Sequence, residues 1–238
     1  MSRRSIGHMA GDEVQSDFTL ETLARESLGD TVYTRLAEAL IKGRFAPDQR
    51  LTIRDLAQSL GTSVTPVRDA ILRLIQDEGL VQRSAREVRV PIMTPARYRE
   101  IRQIRLKLEG LAAREAALKA TPADVARLAG LIASNEREIA GKNWFEALDL
   151  NQTFHFALAE IADMAVLRGI LNRLWLQMGP LIAESYQAGG RLMIEHHYAV
   201  LRAVEARDPD AAEQAIVDDI SEAGQIILDR LVARSAAA

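Results

Sequence analysis

The chain has 238 residues, of which 48% are hydrophobic and 26% are charged, and its formal net charge is −3 at pH 7. This balance is typical of one large or two ordinary globular domains, and it excludes a chain too polar to form a core. Cysteine is absent, which excludes disulfide bonds, a thiolate nucleophile and a cysteine-ligated zinc site.

The first residues, MSRRSIGHMAGDEVQ, carry positive charges without an apolar segment behind them, so we do not expect a secretion signal. No later stretch approaches the ~18 consecutive apolar residues of a membrane span. We therefore expect a cytoplasmic protein without membrane contacts, in which residues 1–26 form a flexible tail.

The charge is unevenly distributed along the chain. Residues 31–95 contain 10 Lys and Arg against 7 Asp and Glu, whereas residues 96–238 contain 17 against 20. The N-terminal part therefore keeps a weak basic character, which is compatible with contacts to nucleic-acid phosphates.

Residues 27–94 predict three helices followed by a hairpin. Apolar residues recur at helical spacing in three runs, each ending at a glycine: Gly43, Gly61 and Gly79. Thr52 and Ser63 are predicted to cap the second and third helices. The next run, LVQRSAREVRVPI, alternates and predicts two short strands joined near Ser84–Arg86. Three helices with such a hairpin form a winged helix-turn-helix.

Residues 95–232 predict only helices, about six or seven, packed as a bundle. Their boundaries are expected at capping and breaking residues: Thr121–Pro122, Gly141, Asp163, Gly179–Pro180, Gly189–Gly190 and Asp208–Pro209. The predicted fold is therefore mostly α, with an N-terminal winged helix-turn-helix and a C-terminal all-helical bundle.

The start of the third helix has the chemistry of a DNA-reading element. The second helix of a helix-turn-helix lies in the major groove, where hydroxyl groups suit phosphates and an arginine reads guanine or holds a phosphate. The predicted DNA contacts are Arg54, Ser63, Val64, Thr65, Arg68, Arg83 and Arg86. Such helix pairs are also common structural corners, and spacing alone leaves the two interpretations nearly even. The arginine-rich hairpin favours DNA binding.

The run VYTRLAEALIKGRFAPDQRLTIRDLAQSLGTSVTPVRDAILRLIQDEGLV resembles the DNA-binding domain of the GntR family of repressors. The helical half resembles the FCD type of the FadR-like subfamily, and together the two cover about residues 27–232. The resemblance implies DNA-contact positions for Arg54, Ser63, Thr65 and Arg68. Val64 stands where the family usually has an arginine, and the wing lacks its usual glycine, so we expect an altered operator.

The helical half contains polar residues that its predicted geometry brings together. The segment NQTFHFAL places Asn151 and His155 on one helix face. His197 precedes Asp208 by 11 residues and Asp219 follows it by 11, so two antiparallel helices would hold both at the same height. A histidine on an apolar helix is more often a hydrogen-bonded core residue than a ligand.

The family resemblance implies a metal site here, because FCD domains commonly bind a divalent ion through an Asp-x-x-x-His pair and two further histidines. The corresponding residues are Asn151, His155, His197 and Asp219, and only the two histidines match. Zn, Ni or Mn would suit this set, and a metal-free polar pocket is the alternative. His196 should point away from the site.

Arg105 matches a family position at which an arginine often turns inward. Beside a metal it would suit the carboxylate of a small organic acid effector, because the guanidinium pairs with that group through two hydrogen bonds. A surface pair with Glu109 is an equal alternative. Spacing does not decide whether Tyr186, Arg191 and Trp175 line the same cavity.

The combined patterns predict a homodimeric transcription repressor that binds double-stranded DNA at a two-fold symmetric operator. A small-molecule effector would shift the helical domain between two arrangements and so change operator affinity. A metal-dependent hydrolase or lyase is the alternative, but no further general base or nucleophile motif supports it. An effector-free scaffold would require an apolar pocket instead of the polar set.

Overall fold

The computed structural model describes residues 28–84 and 87–236, so the predicted tail and Arg86 of the wing lie outside the described residues. The N-terminal part comprises α1 (Leu28–Ile41), β1 (Arg50–Leu51), α2 (Ile53–Ser59), α3 (Val64–Gln76), β2 (Val81–Ser84) and β3 (Glu87–Arg89). The C-terminal part comprises α4 (Pro95–Lys119), α5 (Pro122–Ala140), α6 (Trp144–Ile161), α7 (Ala165–Gly189), a 3-10 helix (Gly190–Ile194), α8 (His197–Glu205) and α9 (Pro209–Ala236). This confirms the predicted fold.

The N-terminal part is a winged helix-turn-helix. A buried apolar stripe on α3 packs against α1 and α2. The strands form an antiparallel sheet in the order β1-β3-β2, with Leu51 opposite Val88, so the strand before α2 extends the wing hairpin. Thr52 caps α2 as predicted, since its Oγ1 accepts a hydrogen bond from the Asp55 N–H at 3.2 Å. Ser63 is the N-cap residue of α3 as predicted, but its side chain makes no capping hydrogen bond.

The C-terminal part is a helical bundle in which α4 packs along α9 and α6 lies against α4, α5 and α7. Alongside an apolar core, its interior contains buried polar residues that include Arg105, Glu109, Asn151, His155, His197 and Asp219. None of the helices in the part of the chain that the structure describes is long and apolar enough to cross a membrane.

The predicted helix boundary at Gly179–Pro180 is wrong, because α7 continues through both residues. Gly179 instead lies directly against α1, where a Cβ atom would overlap the backbone oxygens of Leu40 and Ile41. The glycine therefore allows α1 and α7 to approach closely, which joins the C-terminal part to the N-terminal part. In the sequence, a glycine that lets two helices approach closely looks the same as a glycine that ends a helix.

The helix predicted over Arg191–Ala206 is also corrected. The chain forms a 3-10 helix at Gly190–Ile194, and α8 begins only at His197. Gly190 takes up the change of direction with a φ of +49°. The tight turn at Asp208 is present as predicted, with α8 and α9 packed side by side.

We expect Gly179→Ala to destabilise the protein by about 1–3 kcal/mol, because the added methyl group overlaps fixed backbone atoms. Helix propensity alone would instead predict that the alanine variant is more stable, by about 1 kcal/mol. Gly169→Ala on the same helix is the matched control, since nothing lies within 4 Å of its added Cβ. Urea titration measures both free energies of unfolding, and equal stabilisation by the two variants would contradict the close approach of α1 and α7.

Candidate functional site

The start of α3 is exposed where the sequence predicts DNA contacts. Because the opposite face of α3 is buried, Ser63, Val64, Thr65 and Arg68 face solvent, and Val64 is 41% exposed. Arg54 at the start of α2 borders the same groove as Arg68, between the helices and the sheet. The structure thus places five of the predicted DNA-contact residues on one continuous surface.

The arginines of this surface differ from Arg89 of the wing in their ion pairing. Arg54, Arg68 and Arg83 form no ion pair within the described ranges of the chain. Arg89 on β3, by contrast, pairs with Asp48 at 3.1 Å. Cations that are not neutralised within the protein are available to phosphate groups or base edges.

The predicted metal-binding residues come together in the interior of the bundle. Asn151 and His155 lie on α6, His197 begins α8 and Asp219 lies on α9, and all four are buried. His155 Nε2 lies 3.5 Å from Asp219 Oδ2, and His197 Nε2 lies 3.6 Å from Asp219 Oδ1. The ligand atoms of these three residues all lie within 4.8 Å of one another.

The two nitrogen–oxygen distances to Asp219 fit ligands of one shared ion better than they fit hydrogen bonds. They exceed the 2.7–3.2 Å that is usual for nitrogen–oxygen hydrogen bonds. Two ligands that are each about 2.1 Å from one tetrahedral ion lie about 3.4 Å apart, close to the separations observed. The cluster therefore has room at its centre for a cation.

Several buried atoms of the cluster have no hydrogen-bond partner within the residues described: Asn151 Oδ1, both ring nitrogens of His197 and Asp219 Oδ1. An unsatisfied buried polar atom costs about 1–3 kcal/mol. Of these atoms, His197 Nε2 and Asp219 Oδ1 face each other at 3.6 Å, so both are available to a bound group. The donor set of imidazole, carboxylate and amide oxygen suits Zn, Ni or Mn.

Glu109 on α4 orients one of the candidate ligands. Its carboxylate accepts a hydrogen bond from His155 Nδ1 at 2.5 Å and pairs with Arg105 Nε. With the proton on Nδ1, the lone pair of a neutral His155 ring lies on Nε2, which faces Asp219. A carboxylate behind a ligating histidine is the usual arrangement at metal sites, where it fixes the tautomer and the ring orientation.

Arg105 is held between Glu109 and the aromatic ring of Trp175, with its guanidinium carbon 4.6 Å from the ring centroid. Its pair with Glu109 is buried, so the alternative of a surface pair is wrong. Arg105 also lines the cavity beside the cluster. Its contact with an effector stays a prediction, because Nε of Arg105 already donates a hydrogen bond to Glu109.

The electrostatics of the cluster follow from burial and from these partners. Burial alone would raise the pKa of Glu109, but Arg105 and His155 together lower its pKa to about 2, so it is ionised. Burial raises the pKa of Asp219 to about 6. Burial, with the neighbouring histidines, lowers the pKa of His197 well below its usual value, which leaves a neutral ring. A neutral imidazole and an ionised carboxylate are the forms in which histidine and aspartate bind metals.

The cavity beside the cluster is small, about 20 Å³, and includes Asn151, His155 and Asp219 in its lining. A single water occupies roughly 10–15 Å³ by such a measure. In this conformation the cavity holds an ion or a water and has no room for the body of an organic molecule.

The structure also shows which of the remaining candidate residues line the cavity. Trp175 lines the cavity, whereas Tyr186 is buried with its hydroxyl against α5. Arg191 is exposed, pairs with Glu136 at 3.1 Å and does not line the cavity. His196 points away from the cluster toward α9, as predicted.

Sequence reasoning missed the role of Glu109, although a signal was present. Arg105 and Glu109 continue the three- and four-residue spacing of Tyr98 and Ile101, which form the buried face of α4. Two opposite charges at i and i+4 on an apolar face indicate a buried pair, because neither is accommodated there alone.

The fold and site define a DNA-binding transcription regulator with a separate helical domain. Residues 28–88 match the family described as "Bacterial regulatory proteins, gntR family", and residues 100–222 match the FCD domain. The chain therefore belongs to the GntR family and carries an FCD domain.

Individual relatives agree with this assignment. The HTH-type transcriptional regulator McbR of Escherichia coli K12 is 30% identical over 81% of this chain and 89% of its own length. The structure of E. coli McbR/YncC has a TM-score of 0.80 at 29% identity, covering 86% of this chain and 98% of that one. A GntR regulator from Rhodococcus sp. RHA1, with a TM-score of 0.70, 22% identity and coverages of 84% and 97%, shows the same fold.

A repressor is also among the relatives: the HTH-type transcriptional repressor RspR of E. coli K12 is 23% identical over 85% of this chain and 90% of its own length. The matched families and relatives are transcription regulators, so this protein is a regulator and not an enzyme. The alternative of a hydrolase or lyase is not favoured.

We expect Glu109→Gln to destabilise the protein by about 3–5 kcal/mol, because it leaves the buried Arg105 without a counter-charge. Glu115→Gln on the same helix is the matched control. It breaks only a partly exposed pair with Lys119, at 3.7 Å, and should cost less than about 1 kcal/mol. Free energies of unfolding from urea titration distinguish the two. Similar costs for both variants would contradict a structural role for the buried pair.

Proposed function

We propose that this regulator represses transcription by binding a two-fold symmetric operator as a homodimer, and that a divalent ion and a small organic acid set its operator affinity. Residues 27–94 act as the DNA-binding domain and residues 95–232 as the sensing domain, in the cytoplasm where operator DNA is accessible. The buried polar cluster of His155, His197 and Asp219 carries the sensing part of the proposal. The name of the repressor RspR supports the direction of regulation.

The DNA-binding part rests on the unpaired, exposed groups at the start of α3. Arg68 is placed to hold a phosphate or read a guanine, and Arg54 and Arg83 to contact the backbone on either side. Arg86, which lies outside the described residues, is proposed as a further contact from the sequence alone. An arginine in place of Val64 would add a guanine contact worth about 1–3 kcal/mol, so its absence should alter one base preference.

The homodimer is supported by an apolar stripe on the exposed face of α4. Ile104, Leu111 and Leu118 recur every seven residues, nearly two helical turns, and are 40–49% exposed. Exposed apolar residues aligned on one face are typical of a surface that a partner covers. A second copy of the chain, packed through the same stripe, would create the symmetry that a two-fold operator requires.

We expect in vitro site selection to recover two half-sites about one DNA turn apart for the wild type. Val64→Arg should change the preferred base at one position of each half-site, with the flanking positions kept. Val166→Arg, at an exposed position of α7, is the control and should leave the site unchanged. Identical site preferences for wild type and Val64→Arg would contradict a base contact at Val64, and recovery of single half-sites would contradict the dimer.

In the sensing domain, Asn151, His155, His197 and Asp219 would hold the ion, and their buried unpaired atoms fit that role. When bound, the ion supplies a positive charge that attracts the carboxylate of a small acid. Glu109 keeps His155 Nε2 directed at the site, and Arg105 is placed to contact the same carboxylate from the cavity wall. Because the cavity of about 20 Å³ has the size of one ion or one water, binding of the acid beside the ion would require the cavity to enlarge.

We expect Zn, Ni or Mn to raise the thermal stability of protein that was first treated with a chelator. Saturation at about 100 times the Kd stabilises the folded state by about 2.7 kcal/mol. Asp219→Asn should lose this effect, because it removes the only charged ligand, whereas the neighbouring Asp218→Asn should keep it. Thermal unfolding and operator titration with and without metal measure the outcome. If none of the three metals changed the thermal stability or the operator affinity of the wild type, the metal proposal would be contradicted.

A further inference from the structure

A second cavity, of about 420 Å³, lies between the DNA-binding part and the sensing part. Its apolar wall is formed mainly by the end of α3, strand β2 and the segment that connects the domains: Ile75, Leu80, Val81, Ile92 and Met93. Arg97 on α4 and Gln177 on α7 provide polar groups at the same cavity. Ligand sites are commonly of 300–1,000 Å³ with apolar walls and a few polar groups, and this cavity has those properties.

Arg97 is the positive group of the cavity, and its partners lie in both parts of the chain. Its guanidinium pairs with Glu78, which follows α3, and donates a hydrogen bond to Gln177 Oε1 at 2.9 Å. The side chains of Arg97 and Glu78 are 43% and 58% exposed. Exposed pairs of this kind contribute little net stability, so a ligand carboxylate can replace Glu78 at small cost.

The cavity differs from the metal cluster in both size and chemistry. The cluster cavity measures about 20 Å³ and admits an ion, whereas the interdomain cavity has about 20 times that volume. The interdomain cavity combines hydrocarbon walls with one guanidinium, which matches a molecule that has an apolar body and a single acidic group.

We propose that the interdomain cavity binds a monocarboxylate with an apolar ring or chain. The carboxylate takes the place of Glu78 at Arg97, and the hydrocarbon body lies along Ile75, Val81 and Ile92. The site stands independently of the metal proposal, since it shares no residue with the cluster. Because Glu78 directly follows the recognition helix, its release from Arg97 changes how the end of α3 is held against the sensing domain.

The test uses 2-naphthoate as the probe, with 2-naphthalenemethanol as its uncharged counterpart and acetate as the acid without an apolar body. Fluorescence titrations or calorimetry on the full chain measure the affinities. We expect naphthoate to bind about tenfold more tightly than the alcohol, because a charge-assisted hydrogen bond is lost. Acetate should bind too weakly to detect.

Three variants locate the site. Arg97→Gln should lower the affinity for naphthoate about tenfold, so that the acid and the alcohol bind equally tightly. Glu78→Gln should raise the affinity for naphthoate, because it removes the competing carboxylate. Ile92→Trp should block the cavity, and Val166→Trp, another exposed position, is its control and should bind like the wild type. Naphthoate should also weaken operator binding in the wild type and not in Ile92→Trp.

Equal naphthoate affinity for wild type, Arg97→Gln and Ile92→Trp would overturn the proposal. Tighter binding to Arg97→Gln, or weaker binding to Glu78→Gln, would overturn the assigned role of the ion pair. Loss of naphthoate binding in Asp219→Asn with full binding to Ile92→Trp would assign the acid to the metal cluster instead. An unchanged naphthoate affinity after chelator treatment would support the separate site, whatever the metal result is.

Discussion

The buried carboxylate of Glu109 is the constraint around which the sensing domain is organised. It lies almost fully out of contact with solvent, where a lone carboxylate would take up a proton, yet two partners keep it charged. Arg105 supplies the counter-charge and His155 donates a hydrogen bond. Each partner is fixed in return, so the imidazole presents Nε2 to Asp219 across the gap between α6 and α9.

Helix α7 connects this arrangement to the DNA-reading helix. Trp175 packs under the Arg105 guanidinium, and the next residue, Leu176, occupies the space that Gly79 leaves by having no side chain. A Cβ atom at Gly79 would lie 2.6 Å from Leu176 Cγ. On the same stretch of α7, Arg173 pairs with Asp77 at 3.0 Å, just beyond the end of α3. Helix α7 thus contacts both the buried pair and the end of α3.

Local rules explain how much of this could be predicted from the sequence. The winged helix-turn-helix follows from helical spacing and turn residues, and the facing of His197 and Asp219 follows from counting along two helices joined by a tight turn. Non-local packing explains the failures. Gly179 has the sequence signature of a helix end, but its role is to contact the backbone of α1, which lies more than a hundred residues away. The interdomain cavity likewise depends on how two domains meet, which no spacing within either domain specifies.

The tautomer of His155 tests the account most directly, because the account requires the Glu109 hydrogen bond to leave Nε2 free for a ligand. Long-range proton–nitrogen correlation NMR of the histidine side chains reports which ring nitrogen carries the proton. The account predicts a proton on Nδ1 of His155 in chelator-treated protein and a change in the Nε2 resonance when Zn is added. A proton on Nε2, or an Nε2 resonance that Zn leaves unmoved, would contradict it.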